Sequence, residues 1–396
     1  DYDSTEQTIN DGYGNYYLVP AGQFSMGDNY DEGNPRERPV HNVYLDEYYI
    51  GEYEVTNEEY EKFMVDEGYS NQGYWSGGGF GFFSEPLYWN DSTYNGGGIQ
   101  GNEQFPVVGV SWFEAKAYSS WLSTKTGNVY RLPTEVEWEK AARGGDYLDG
   151  DDSAQVPNPI NPPRRYPWGN NIDSSYANYL DSGDPYEQGL TPVGYYDGST
   201  YGNFLTHDNS SPYGAYDMAG NVYEWCNDFY SEDYYQVCYN MGTVTNPLGP
   251  LSGSIYVIRG GAFLYETFKL RSAYRGAYYP TFRGAYIGIR CVREESVSSI
   301  GENSINPNPD NFILHHNYLN PFNPTTKIKY TVPSTSNVKM EVFNALGKVV
   351  RILVDAEKQV GESDVLFDAV GLPSGVYYYR LQAGDFTVSK KMLLLK

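Results

Sequence analysis

The run DMAGNVYEWCND, Asp217 to Asp228, holds the residues best suited to chemistry. Asp217 and Glu224 offer side-chain oxygens. A tight turn would point the backbone carbonyls of Gly220 and Val222 at the same spot. A hard cation such as Ca²⁺ takes an all-oxygen cage of carboxylates and carbonyls. The same residues also suit a Gly-Asn turn that feeds a buried strand and holds nothing. No Ser-His-Asp set, phosphate loop or zinc spacing stands out elsewhere. The acids are too numerous and loop-bound to single out a general acid and base. The histidines His41, His207, His315 and His316 are scattered. Three cysteines, Cys226, Cys238 and Cys291, allow at most one disulfide. Cys226 and Cys291 fall in expected core strands and are the expected pair, with two buried free thiols as the alternative.

The elements that must position these groups follow one grammar. Thr56 with Glu59, Ser111 with Glu114, and Thr134 with Glu137 each fit a capping box, in which a hydroxyl and a carboxylate satisfy first-turn amides reciprocally. Gly68, Gly127 and Gly144 stand where the three helices would stop. The spacing of Trp112, Ala115 and Ser119, and of Val136, Trp138 and Ala141, lays two of them on a core. Between them run long Gly-, Tyr- and Asn-rich loops over 69–104, 146–165 and 180–212, of a length that is usually functional or pinned by metals and neighbours. The acidic run Tyr147–Ser153 offers cation ligands too, although solvated loop acids are the favoured account. Tyrosine doublets recur along the chain, and 42 tyrosines in all suit protein interfaces or stacking on sugar rings.

The order of several blocks resembles the formylglycine-generating enzyme, or sulfatase-modifying factor, superfamily over about 16–293. The blocks are VPAGQFSMGD (Val19–Asp28), PVHNVYLDEYYIGEYEVTNEEYEKFM (Pro39–Met64), PVVGVSWFEAKAYSSWLS (Pro106–Ser123) and RLPTEVEWEKAARGG (Arg131–Gly145). YPWGN (Tyr166–Asn170), YAN (Tyr176–Asn178), DMAGNVYEW, RGGAF (Arg259–Phe263) and GIR (Gly288–Arg290) follow in sequence. The resemblance implies an α+β, C-type-lectin-like fold with little regular structure. It also implies a second calcium site, formed by Asn178, the Tyr179 carbonyl, Asp184 and the Tyr186 carbonyl. Catalytic members carry a serine after the double glycine and then two cysteines that bind copper(I), a role for soft thiolates. Those positions are Ala262, Tyr265 and Leu270 here, so no copper is expected and formylglycine-generating activity is not expected either. Cys291 matches a structural position behind the arginine of GIR. Iron-dependent sulfoxide synthases of the superfamily draw histidines from an extra N-terminal helical domain that residues 1–15 do not supply. A further branch works without the cysteine pair.

At 298–310 the composition turns to Ser, Asn and Pro, which marks a linker. Alternating runs follow at Lys327–Pro333, Val338–Asn344, Lys348–Val354, Ser363–Ala369, Gly375–Gly384 and Phe386–Lys396. Turn signals separate them, as in a small all-β, Ig-like sandwich. From residue 301 on, 9 acids face 10 Lys and Arg, which leaves 42 acids against 17 bases in the rest. The blocks NYLNPFNPTTKIKYTVP, NALGKVV, LPSGVYYYRLQAG and KKMLLLK resemble the C-terminal sorting domain of type IX secretion in Bacteroidota-like bacteria. That resemblance implies export to the cell surface or medium, with the tail commonly removed afterwards. The expected organisation is an N-terminal extension at 1–15, the lectin-like domain at 16–297, a linker at 298–312 and the sandwich at 313–396.

The chain has 396 residues and a formal net charge of −24. No basic patch points to nucleic acid, and no apolar run is long enough to span a membrane. It opens on DYDSTEQTIN rather than Met, which reads as a processed N-terminus. The extension reads as a frayed terminus or as a strand donated to a neighbouring copy. Ser4, Ser92 and Ser153 sit in short Asp-Ser contexts that resemble a Bacteroidota O-glycosylation signal. Asn90 and Asn209 head Asn-x-Ser sequences. Three functions follow, in order: a non-catalytic exported subunit that self-assembles into a filament, tube or layer; a carbohydrate-binding or adhesive module; an enzyme of the cysteine-independent branch.

Overall fold

The computed structural model describes residues 8–91, 101–145, 164–186, 189–250 and 252–294, and in the C-terminal part 313–314, 317, 322, 324–344, 347–384 and 386–394. The chain divides into two compact units, Asp1–Val297 and Ser298–Lys396, and each is described by itself.

The first unit begins with β1 (Thr8–Asn10), β2 (Asn15–Val19), β3 (Gly22–Met26), β4 (His41–Leu45) and β5 (Tyr48–Gly51). Helices α1 (Asn57–Val65) and α2 (Trp112–Thr126), strand β6 (Tyr130–Arg131) and helix α3 (Glu135–Arg143) follow. After the hairpin β7 (Thr200–Tyr201) and β8 (Phe204–Leu205) come β9 (Tyr223–Phe229), α4 (Tyr234–Met241) and β10 (Val244–Thr245). The unit closes with β11 (Tyr256–Arg259), β12 (Gly276–Tyr278), β13 (Ile287–Gly288) and β14 (Val292–Arg293). These strands form sheets in the orders β1-β2-β5-β14-β6, β10-β4-β3 and β12-β11-β9-β13. Mixed short sheets under capped helices make an α+β unit.

All three expected capping boxes are present, at Thr56/Glu59, Ser111/Glu114 and Thr134/Glu137. Gly127 closes α2 in the left-handed region at φ 75°, where a side chain would be strained. Helix α4 had no such signal: its N-cap Asp233 makes no side-chain cap bond, and only Tyr235 and Cys238 are buried. Residues 8–10 form the edge strand of the unit's own first sheet. Ile9 pairs with Tyr16 and Asn10 with Asn15, in the unit's own sheet. Residues 1–7 and the linker at 298–312 lie outside the described residues.

Helix α3 buries charge as well as apolar surface. Glu135 accepts from Arg275 through Nε and Nη2, each at 2.7 Å, and from Arg259 Nη1 at 3.1 Å. Glu139 accepts from Gly27 N at 2.8 Å and from Arg259 Nη2 at 2.5 Å, with Arg143 at 3.3 Å. His41 packs against Tyr235 beside this lattice, with ring centroids 4.7 Å apart.

The expected Cys226–Cys291 disulfide does not form: all three thiols are free and buried. The two sulfurs serve different cores. Cys226 packs with Trp138 and Val257, whereas Cys291 packs with Tyr16 and Trp121.

The second unit is all strand: β15 (Ile313–Leu314), β16 (Thr325–Val332), β17 (Ser336–Asn344), β18 (Val349–Lys358), β19 (Gly361–Asp368), β20 (Gly375–Ala383) and β21 (Phe386–Leu394). Two antiparallel sheets, β15-β16-β19 and β18-β17-β20-β21, share one core. Ile328, Tyr330 and Phe367 from the first meet Met340, Tyr379 and Met392 from the second. This is a two-layer sandwich built from alternating inward residues.

Candidate metal centre

Strand β9 pairs antiparallel with β11 and parallel with β13, so the turn before it is fixed from both sides. Asp217 and Asn221 have φ of 57° and 53°, and Gly220 has 97°. Gly220 is required: a Cβ there would stand 2.5 Å from the Asn178 carbonyl oxygen. Asp217 is buried, accepting from Asn209 Nδ2 at 3.0 Å and from Gly194 N at 2.6 Å. Burial raises its carboxyl pKa above the ordinary value. Among the described residues no hydrogen bond reaches the carbonyls of Gly220 and Val222.

Glu224 is fully buried, and its carboxylate is held by Arg290 at 2.8 Å and by the Trp138 indole N–H at 2.6 Å. A residue that the sequence reading missed stands beside it. Glu54 is 1 % exposed, and neither of its carboxylate oxygens has a hydrogen-bond partner. Burial first, and then the charge of Asp217, push its pKa well above the ordinary carboxylate value. An acid at an inward position of the strand-like run Tyr48–Val55 was the signal that could have found it.

No group of three His, Cys, Asp or Glu side chains able to hold a metal occurs among the described residues. Any cation here depends on carbonyls. The donor set fits one: free backbone carbonyls, Asp217, and a buried carboxylate without a donor are an electron-rich pocket that calls for positive charge.

The residues of the second predicted site are engaged as follows. Asn178 Nδ2 donates to the Gly189 carbonyl at 2.8 Å, while its buried Oδ1 has no partner. Asp184 accepts from Tyr186 N at 2.7 Å, Ser182 Oγ at 2.5 Å and Tyr196 OH at 3.3 Å. The Tyr179 and Tyr186 carbonyls accept from Ser182 N and Gly189 N, each keeping a second lone pair. The two loops are joined, because Asn221 N donates to the Asn178 carbonyl at 2.9 Å.

Ala262 and Leu270 are buried in the core. Tyr265 packs its ring against Tyr223 and Tyr286, each centroid 5.4 Å away, with Lys269 Nζ 3.8 Å from its own centroid. Burial pushes the Tyr265 hydroxyl up to about 12, so a tyrosine cluster of neutral phenols fills this place. Ser4, Ser92 and Ser153, the run Tyr147–Ser153, and His315 and His316 lie outside the described residues. Asn209 is buried against Asp217 and cannot carry a glycan in the folded unit.

The class is a mixed α+β domain with oxygen-rich loops, followed by a β-sandwich. The sulfatase-modifying factor enzyme 1-like profile matches residues 4–295, and the chain belongs to that family. The secretion system C-terminal sorting domain profile matches residues 317–395. The chain is 32% identical over 281 residues to a serine/threonine-protein kinase, pkn1, of Chlamydia caviae, covering 70% of this chain but only 37% of the kinase's length. It is 31% identical over 313 residues to the formylglycine-generating enzyme of Thermomonospora curvata, covering 70% of this chain and 92% of that enzyme. PvdO from Pseudomonas aeruginosa is similar in structure, with a TM-score of 0.49 and 26% identity over 72% of this chain and 97% of PvdO. The sorting domain marks the chain for export to the cell surface or extracellular space. No helix among the described residues is long and apolar enough to cross a membrane.

Proposed function

We propose that this is a non-catalytic exported surface protein whose first unit is a calcium-braced structural module that assembles with copies of itself into a filament, tube or layer. The observation that carries the non-catalytic part is the filling of the serine position by Ala262 and of the two thiolate positions by Tyr265 and Leu270, two of the three buried and one a neutral phenol. No soft ligand for copper remains there. Supplying the protein with copper(I) and a cysteine-containing sulfatase-type peptide should give no aldehyde by mass spectrometry. Conversion of the cysteine would overturn the reading. Exposed tyrosines such as Tyr44, Tyr239 and Tyr279 support assembly, since they offer large contact area at small entropic cost. Electron microscopy should show ordered polymers that fray on chelation. Monomers at high concentration would defeat that part.

A second reading, carbohydrate binding, has its own observation. Tyr166, Trp168, Tyr176 and His207 form a continuous stack, with successive centroids 5.6, 5.4 and 4.4 Å apart. Tyr166 also lines an open cavity of about 420 Å³, beside Arg165, Asn170, Asn171 and Arg271. Rings next to planar hydrogen-bonding groups suit a sugar. A glycan array without hits would count against it.

A further inference from the structure

From Tyr234 to Ile258 the chain runs for 25 residues without an Asp, Glu, Lys or Arg, whereas 20% of the whole chain is charged. Its setting is strongly acidic, since residues 1–300 hold 42 acids against 17 bases. The uncharged run builds α4, the edge strand β10 and β11. Helix α4 buries Tyr235 and Cys238, but leaves Val237 at 42 %, Tyr239 at 56 % and Met241 at 71 % exposure. At about 3.6 residues per turn, Val237 and Met241 share one flank and Tyr239 takes the other. Gln236 and Asn240 form the crest between them, with Gln236 Nε2 donating to Asn240 Oδ1 at 2.9 Å. Two more exposed apolar residues belong to the same region: Leu248, and Tyr44 of β4, which pairs with Thr245 of β10. Large apolar side chains grouped at a surface, rather than scattered singly, mark an interaction site.

We propose that the outer face of α4 docks on the same face of a second copy of this chain, with the two helices antiparallel across a two-fold axis. The charge pattern selects that partner. Two copies of so acidic a unit repel each other wherever acid meets acid, and they can close only where charge is missing. A basic partner would be drawn to the acidic surface instead, because α4 has no charge to answer it. A two-fold contact sets one patch against itself, so the matching surface is already present. The crest suits this, since each amide carries both donors and an acceptor and can pair with its own copy. Glu232 and Asp233 stand exposed just ahead of α4. Antiparallel crossing places those acids of the two copies at opposite ends of a helix about 12 Å long. This inference rests on the assembly reading and names one of its contacts. A two-fold contact closes on itself, so a second contact must extend any polymer. A neutral surface that simply stays wet is the competing account.

The test uses the full chain in analytical ultracentrifugation, over a range of protein concentrations and at low and high NaCl. Wild type should self-associate, and more tightly as NaCl rises from about 50 to about 500 mM, because salt screens the repulsion between acids and spares an apolar contact. Met241→Lys should weaken association about 10-fold or more, since it sets a charge against its own copy in a desolvated contact. Val237→Lys, on the same flank, should do the same and serves if the first variant does not fold. Val65→Lys, at an apolar position of α1 that is 77 % exposed, should leave association as it is. Association of wild-type strength in both α4 variants would overturn this face and leave the assembly reading standing. Association that loosens as salt rises would overturn it too, by showing a contact made of opposite charges. Wild type that stays monomeric at every concentration and salt level would overturn both.

Discussion

Two groups of buried charge in the first unit are balanced in different ways. In the lattice around α3, Glu135 and Glu139 meet Arg259, Arg275 and Arg143, and each acid has its donor. At the β9 turn, Glu54, Asp217 and Glu224 share Arg290, and Glu54 has nothing. The first is complete as the polypeptide folds. The second is short of positive charge, and that shortage is the physical argument for an ion. Buried acids are therefore not alike: a paired one specifies the fold, and an orphaned one points to a missing partner.

The largest expected effect breaks the complete lattice. Arg259→Met takes from Glu139 its closer cation and from Glu135 one of its two, and should cost about 3–5 kcal/mol in denaturant melts, whatever the calcium level. A loss that calcium restores would erase the contrast between the two groups. Next comes the incomplete group. At calcium about 100-fold above its Kd, each calcium site of the first unit should add about 2.7 kcal/mol over the chelated protein. Asp217→Asn should remove most of the part of that gain that belongs to the β9 turn, and should cost the chelated protein about 1–3 kcal/mol, because one of the two N–H donors to its carboxylate loses its acceptor. Equal calcium responses in both proteins would show that Asp217 holds no ion.

The smallest effect is one of pH, and it sharpens the first group. Burial depresses the His41 pKa below its ordinary 6.5, so the folded unit prefers the neutral ring. The unfolded chain takes up a proton first as pH falls, and stability is lost from about 6.5 downward. His41→Gln should flatten the stability profile between neutral pH and pH 5. An unchanged profile would show that His41 contributes nothing to it.

How much of this could be read in advance depended on range. The capping boxes at Thr56, Ser111 and Thr134 were legible because their partners lie three residues away. The strands of the second unit were legible because inward and outward residues alternate. Helix α4 had no cap to announce it. The capture of Glu224 by Arg290 joins residues 66 apart, so no local pattern shows it. Asp217, Gly220 and Val222 were singled out from the turn, and Asn178 and Asp184 from family likeness. Glu54 was not found, because its meaning comes from what is absent around it in three dimensions. The disulfide expectation erred for a related reason: two core strands were foreseen, but not that their sulfurs face different cores.

Those sulfurs have a consequence of their own. Burial raises the pKa of Cys226, Cys238 and Cys291 alike, Cys226 well above the ordinary thiol value, and none is at the surface. Thiolate is the form that oxidants and electrophiles attack. A protein sent outside the cell thus has its thiols shielded by burial, and no bond between its cysteines for a reductant to break.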